Sequence, residues 1–122
     1  MTKRILTVDD SRTMRAMLKS ALETAGFEVV QAEDGIDGLE VLGGLDALDV
    51  IITDINMPRL DGFGFIEGVR REARLRAVPI LVLTTESDAS KKTRAREAGA
   101  TGWIVKPFNA DKLVDAIRRV AA

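Results

Sequence analysis

The chain contains neither cysteine nor histidine. The first absence rules out disulfides, thiolate nucleophiles and zinc–thiolate centres. The second leaves general-base and metal-binding roles to carboxylates and excludes a phosphohistidine relay within these 122 residues. Long apolar runs are missing too: none approaches the ~18 residues of a membrane helix. The apolar stretch after Met1-Thr2-Lys3-Arg4 is too short for a signal peptide. A cytoplasmic location without a membrane partner is therefore expected. There is no linker, repeat or low-complexity tract, and the length suits one domain spanning residues 1–122. Such a chain buries roughly two-thirds of its unfolded surface.

What is present is ordinary in composition, 46% hydrophobic and 30% charged, but uneven in charge. Residues 1–61 hold 12 acidic and 6 basic side chains, a balance of −6, and residues 62–122 hold 7 and 12, a balance of +5. Lys91, Lys92, Arg94 and Arg96 crowd like charges onto one helical stretch, which suits a partner surface better than an isolated helix. Nucleic acid is not the expected partner. The pI is about 5.5 and no aromatic residues interleave with the basic ones.

Strand and helix signals alternate five times. Ile5–Val8, Phe27–Ala32, Asp49–Thr53, Ile80–Leu83 and a run ending at Val105 read as strands, several of them near-continuously apolar, as buried parallel strands are. Between and after them the pattern predicts helices from Ser11 to about Ala25, a short one carrying Leu39 and Leu42, then Phe63–Arg71, Ser87–Ala98, and one capped by Asn109. The Ser87–Ala98 helix has only Ala89, Ala95 and Ala98 as apolar residues, so it is expected to be weakly held. This alternation argues for an α/β fold, a parallel sheet with helices on both faces.

Four of the apolar runs end in a chemically useful residue: Asp9-Asp10, Asp54, Thr84 and Lys106. Taken singly, each has a plain explanation. The aspartates and Thr84 suit turns and helix caps, and Lys106 suits a snorkelling surface lysine. In an open α/β sheet, however, ligands bind beyond the carboxyl ends of the strands. Neighbouring parallel strands would thus bring three carboxylates, a hydroxyl and an ammonium into one pocket. Carboxylates so placed repel one another unless a cation lies between them, and hard oxygen ligands favour Mg²⁺. A carboxylate oxygen such as that of Asp54 can attack phosphorus to give an acyl phosphate, with Mg²⁺ and Lys106 neutralising the incoming charge. Pro107 restricts Lys106 and fixes the strand end, and a cis bond between them is one way to do so. Trp103, the only tryptophan, is by default a packing residue, and strand alternation places it and Lys106 on opposite faces.

The segments Val8-Asp9-Asp10-Ser11, Asp54-Ile55-Asn56-Met57-Pro58 with Asp61-Gly62, Leu83-Thr84 and Lys106-Pro107-Phe108 occur in this order across the whole chain. With them the sequence resembles a two-component response-regulator receiver domain of the stand-alone chemotaxis, CheY-like, type. The resemblance implies a flavodoxin-like doubly wound five-stranded parallel sheet of order 2-1-3-4-5 with five helices. It implies Asp54 as phosphoacceptor, with Mg²⁺ bound by Asp10, Asp54 and the carbonyl of Asn56, and by Asp9 mainly through water. Thr84 would follow the phosphoryl group, Lys106 would pair with it, and Asn56 and Glu86 would tune its hydrolysis. Trp103 stands at the switch position, usually Tyr or Phe in the family, and its larger ring resists full burial. Thr85 stands where the family commonly has Ala, and its extra bulk would narrow access to Asp54.

The implied function is a phosphorylation switch rather than an enzyme, with self-phosphorylation from small donors and autodephosphorylation. A histidine kinase is the implied donor and the flagellar motor switch the first target, with a phosphatase as a further partner and a monomer as the expected state. Lys91, Lys92, Trp103 and Lys112 would form the partner face. For a chain that ends at Ala122, without an effector domain, transcription control is not expected. The alternatives are a phosphate sink draining the kinase, a flavodoxin-like cofactor module, which Asp9-Asp10 would oppose, and a degenerate receiver. A small Asp-nucleophile phosphatase would carry a second Asp where this chain has Asn56.

Overall fold

Five runs rich in β-branched and aliphatic residues form the strands of the computed structural model, which describes residues 2–121. These are β1 (Arg4–Val8), β2 (Glu28–Ala32), β3 (Val50–Thr53), β4 (Ile80–Thr84) and β5 (Gly102–Val105). They pair in parallel in the order β2-β1-β3-β4-β5, so the fold is the flavodoxin-like doubly wound sheet. Helices α1 (Arg12–Thr24), α2 (Gly35–Gly43), α3 (Gly62–Arg71), α4 (Ala89–Ala98) and α5 (Ala110–Val120) connect or follow them.

Alternation along the three central strands divides the core in two. Leu6, Val8, Ile51, Ile80 and Val82 pack with Phe63, Phe65, Ile66 and Val69 of α3 and with Ala95 of α4. Ile5, Ile52, Leu81 and Leu83 face the other way, onto Leu18 and Leu22 of α1 and Leu113 and Ile117 of α5. Because both faces are covered, the buried positions of the central strands are apolar but for the threonines Thr7, Thr53 and Thr84, which is why they read as runs rather than as an alternating pattern. Fully burying each such side chain is worth about 1.5–3 kcal/mol.

The helix starts follow capping chemistry. Ser11, Asp61 and Asn109 accept from Met14, Gly64 and Lys112 backbone N–H groups. The fourth helix begins at Ala89 rather than Ser87, because the Asp88 carboxylate accepts from both the N–H (2.8 Å) and the hydroxyl (2.7 Å) of Ser90 and so caps it. Two features were not expected from the pattern. A short 3₁₀ turn over Ala73–Leu75 buries Leu75, and Phe65 lies fully buried beside Phe63, Ile66 and Val69.

Only Ala95 of α4 is buried. Its outer contact is the Arg94 guanidinium stacked on the Phe63 ring, 4.0 Å from the centroid. Its C-terminus ends at Gly99, whose φ of +121° lies in the left-handed region that favours glycine. The Gly99 carbonyl accepts from Nε and Nη2 of Arg70 at 3.1 and 2.8 Å, tying that end to α3. The N-terminal end of α4 is held by Lys91, whose Nζ lies 3.1 Å from Glu86 Oε1, a contact with a loop rather than with another helix. Hydrogen exchange followed by mass spectrometry should therefore find α4 the least protected of the five helices, with exchange fastest toward Ala89. Protection equal to that of α5 would contradict this account.

Candidate functional site

Register brings the chemistry together. Val8 pairs with Thr53 and Thr84 with Val105, so Asp9, Asp54 and Lys106 each follow the last paired residue of a strand. The ladder runs one bond further at each point. Asp9 N–H donates to Ala32 O (3.1 Å), Asp54 N–H to Val8 O (2.9 Å), and Lys106 N–H to Thr84 O (2.8 Å). Each side chain thus leaves a fixed backbone at the carboxyl edge of the sheet. The Lys106–Pro107 peptide is cis.

Lys106 Nζ lies 2.8 Å from Asp9 Oδ2 and 2.8 Å from Asp54 Oδ2, and all three side chains are largely buried. The other oxygens are also held: Asp9 Oδ1 by the Ser11 N–H (2.9 Å) and Asp54 Oδ1 by the Ile55 N–H (2.6 Å). Burial pushes the Asp9 carboxyl above its ordinary value, against the opposing pull of Lys106 and the Ser11 amide. For Lys106 burial acts downward, but the two carboxylates together outweigh it and raise the ammonium. Asp10 is exposed.

Asp9, Asp10 and Asp54 each offer a carboxylate oxygen within 4.8 Å of the others. One ammonium cannot neutralise three carboxylates, and an all-oxygen donor set of this kind fits a small hard divalent cation. Since Asp9 and Asp54 already accept bonds at both oxygens, Asp10 is the least committed ligand. Thr84 is fully buried at the end of β4, and its Oγ1 accepts from the Glu86 N–H at 3.4 Å.

Residues that the sequence marks separately meet at the mouth of this site. Asn56 Nδ2 donates to Glu86 Oε1 at 3.1 Å, Lys91 Nζ stands 3.1 Å from the same oxygen, and Trp103 Nε1 donates to the Glu86 carbonyl at 3.0 Å. The Asn56 amide and then Lys91 lower the Glu86 carboxyl. Trp103 is half-buried against the α3–α4 side of the core, and Thr85 is exposed. Lys91 is thus drawn into the site, whereas Lys92 and Lys112 are exposed and make no ion pair among the described residues. Sequence reasoning missed two further participants. Arg15 of α1 donates to the Asp9 carbonyl (2.7 Å), and Arg59 pairs with Asp34. Their only sequence signal is a long cation near an acidic loop, which is too common to single out.

Residues 5–118 match the family model for the response regulator receiver domain. Chemotaxis protein CheY1 of Helicobacter pylori is 37% identical over 118 residues, 96% of this chain and 95% of that protein. The structure of chemotaxis protein CheY4 of Vibrio cholerae superposes with a TM-score of 0.93 at 42% identity, covering 98% of this chain and 99% of the other. The receiver domain of the sensor histidine kinase PA1611 of Pseudomonas aeruginosa is 25% identical with full coverage of both chains and a TM-score of 0.90. That domain is described with a magnesium ion coordinated in its active-site cleft.

Replacing Lys106 leaves two buried carboxylates facing each other. Lys106→Met should cost about 3 kcal/mol of stability at pH 7 without divalent cations, by urea denaturation. Asp9, whose native value is raised, carries its penalty above that value and sheds it as pH falls toward the ordinary carboxylate range. The deficit should therefore narrow on acidification. A deficit that stays constant down to pH 4 would show that the pair does not behave this way.

Proposed function

The chain belongs to the response regulator receiver domain family, and on that premise we propose that it is a cytoplasmic, monomeric chemotaxis switch turned by phosphorylation of Asp54. Receiver domains of this type act as phosphoacceptor switches in two-component systems rather than as classical enzymes. The observation that carries the reading is the Lys106 ammonium shared by Asp9 and Asp54 beside the free carboxylate of Asp10. In this reading residues 1–122 form one receiver domain, Asp10 and Asp54 would hold Mg²⁺ with the Asn56 carbonyl, and Asp9 would act through water. When bound, Mg²⁺ supplies charge neutralisation for the transferred group.

The donor is a phosphohistidine of a separate histidine kinase. An Asp54 oxygen attacks phosphorus, the O–P bond forms as the P–N bond breaks, and the electron pair stays on the departing imidazole, which is protonated from solvent. The work of the protein is positioning and electrostatics. Lys106 exchanges its contact with the Asp54 carboxylate for one with a phosphoryl oxygen, and Thr84 turns its hydroxyl to another. Thr84 already holds the Glu86 amide, so its movement draws on the β4–α4 loop, and the Trp103 bond to the Glu86 carbonyl must follow or break.

Asn56 and Glu86, bonded to each other across the mouth, govern how water reaches the acyl phosphate and so tune its lifetime. The output is a changed affinity at the face made by α4, β5 and α5, because only differential binding shifts such an equilibrium. The first target is the flagellar motor switch, met through Lys91, Lys92, Trp103 and Lys112, with a phosphatase as a further partner.

Intact mass measured after incubation with a small phosphodonor tests the chemistry. One added phosphoryl group is expected, requiring Mg²⁺ and absent in Asp54→Asn. A parent chain that gains nothing with Mg²⁺ bound overturns the switch. For the output, Lys92→Glu with Lys112→Glu should weaken binding of the phosphorylated chain to an acidic motor-switch segment about tenfold. Unchanged binding would place the partner elsewhere.

A further inference from the structure

The loop that follows Asp54 is held on two sides. Toward β4 it is tied by the bond from Asn56 to Glu86. Toward β2 it is tied by a fork: Arg59 Nε donates to Asp34 Oδ2 at 2.7 Å and Arg59 Nη2 donates to Asp34 Oδ1 at 3.0 Å. Asp34 is only 3% exposed, whereas the arginine reaches in from the surface. The same Asp34 Oδ1 accepts from the Asp37 N–H (2.8 Å) and so caps α2. One buried carboxylate therefore anchors a helix start and the acceptor loop together.

Two backbone features show how closely the loops are drawn up. Arg59 has φ +64°, the left-handed region that an arginine adopts only under constraint and that glycine would adopt freely. Beside it, the Gly35 N–H donates to the Leu60 carbonyl at 3.1 Å, and a Cβ at position 35 would come within 2.5 Å of that oxygen. A residue that strains the backbone stands where an unstrained one would fit, and the bond it makes is bidentate to a buried anion. Guanidinium–carboxylate forks add geometric definition as well as attraction. The Arg59 cation also holds the Asp34 carboxyl below its ordinary value.

We propose that Arg59, acting through Asp34, is a positioning residue for the phosphoacceptor loop. It sets where Asn56 sits relative to Asp10 and Asp54, and hence divalent-cation affinity and the rate of phosphoryl uptake. The inference rests on the receiver reading of the site. It assigns no contact between Arg59 and the reacting atoms.

The test uses the full chain with Arg59→Gly, Asp34→Ser and the double variant. Glycine relieves the left-handed strain as it removes the fork, and serine keeps a hydroxyl to cap α2. Both singles should therefore melt close to the parent, yet Mg²⁺ affinity by titration calorimetry should fall about fivefold in each, and phosphorylation by a small donor should slow in step. The double should be no worse than either single, because both remove one interaction. Arg59→Lys, which keeps charge without the fork, should fall between. If Arg59→Gly matches the parent in Mg²⁺ affinity and uptake rate, or if the losses in the double multiply, the inference is overturned. A parent that binds Mg²⁺ but takes no phosphoryl group defeats the switch while the affinities still judge the fork. A parent that binds no Mg²⁺ defeats both.

Discussion

A buried ammonium between two buried carboxylates is the constraint on which this molecule turns. Lys106 can reach Asp9 and Asp54 only if β1, β3 and β5 end at one level, and that level is set by parallel register extended one hydrogen bond past each strand. The register in turn needs both faces of the sheet covered, since a slip would expose an apolar row on each side. Folding and site are therefore one problem: the core that fixes strand levels also confines three carboxylates with too little positive charge. The unbalanced negative charge is of the kind that a small divalent cation offsets.

Around that centre the contacts grade outward in stability. The aspartates are fixed by backbone amides, Lys106 by its two partners, and the loop after Asp54 by a bond at either flank. Helix α4, which buries a single alanine, lies at the far end of this gradient. Under the proposed switch, small shifts at the centre would be expressed where the least packing opposes them. Glu86 joins the two regions, since its side chain meets Asn56 and Lys91 while its carbonyl meets Trp103.

The central strands and their terminal polar residues were legible because a doubly covered sheet imposes apolar continuity, and a break into Asp, Thr or Lys then marks an edge. Caps at Ser11 and Asn109 were legible for a similar local reason. Phe65 was not. It follows Gly64 directly, and its ring lies against Gly38 of α2, so its burial depends on a neighbouring helix. The start of α4 shifted because Ser87 and Asp88 are both competent caps and geometry chose the second. The bonds Asn56–Glu86, Glu86–Lys91 and Arg59–Asp34 join loops 25 to 30 residues apart, or cross a turn, through flexible side chains that leave no periodic trace.

Trp103 has a consequence for how the protein can be observed. The chain has no tyrosine, so near-ultraviolet emission comes essentially from this one indole. Its N–H is bound to the carbonyl of Glu86, one residue beyond Thr85 in the loop that Thr84 would pull. The protein therefore carries a built-in optical probe bonded to the loop that follows Thr84. A change in that bond would alter the indole's surroundings, so the loop can be followed by emission without a label.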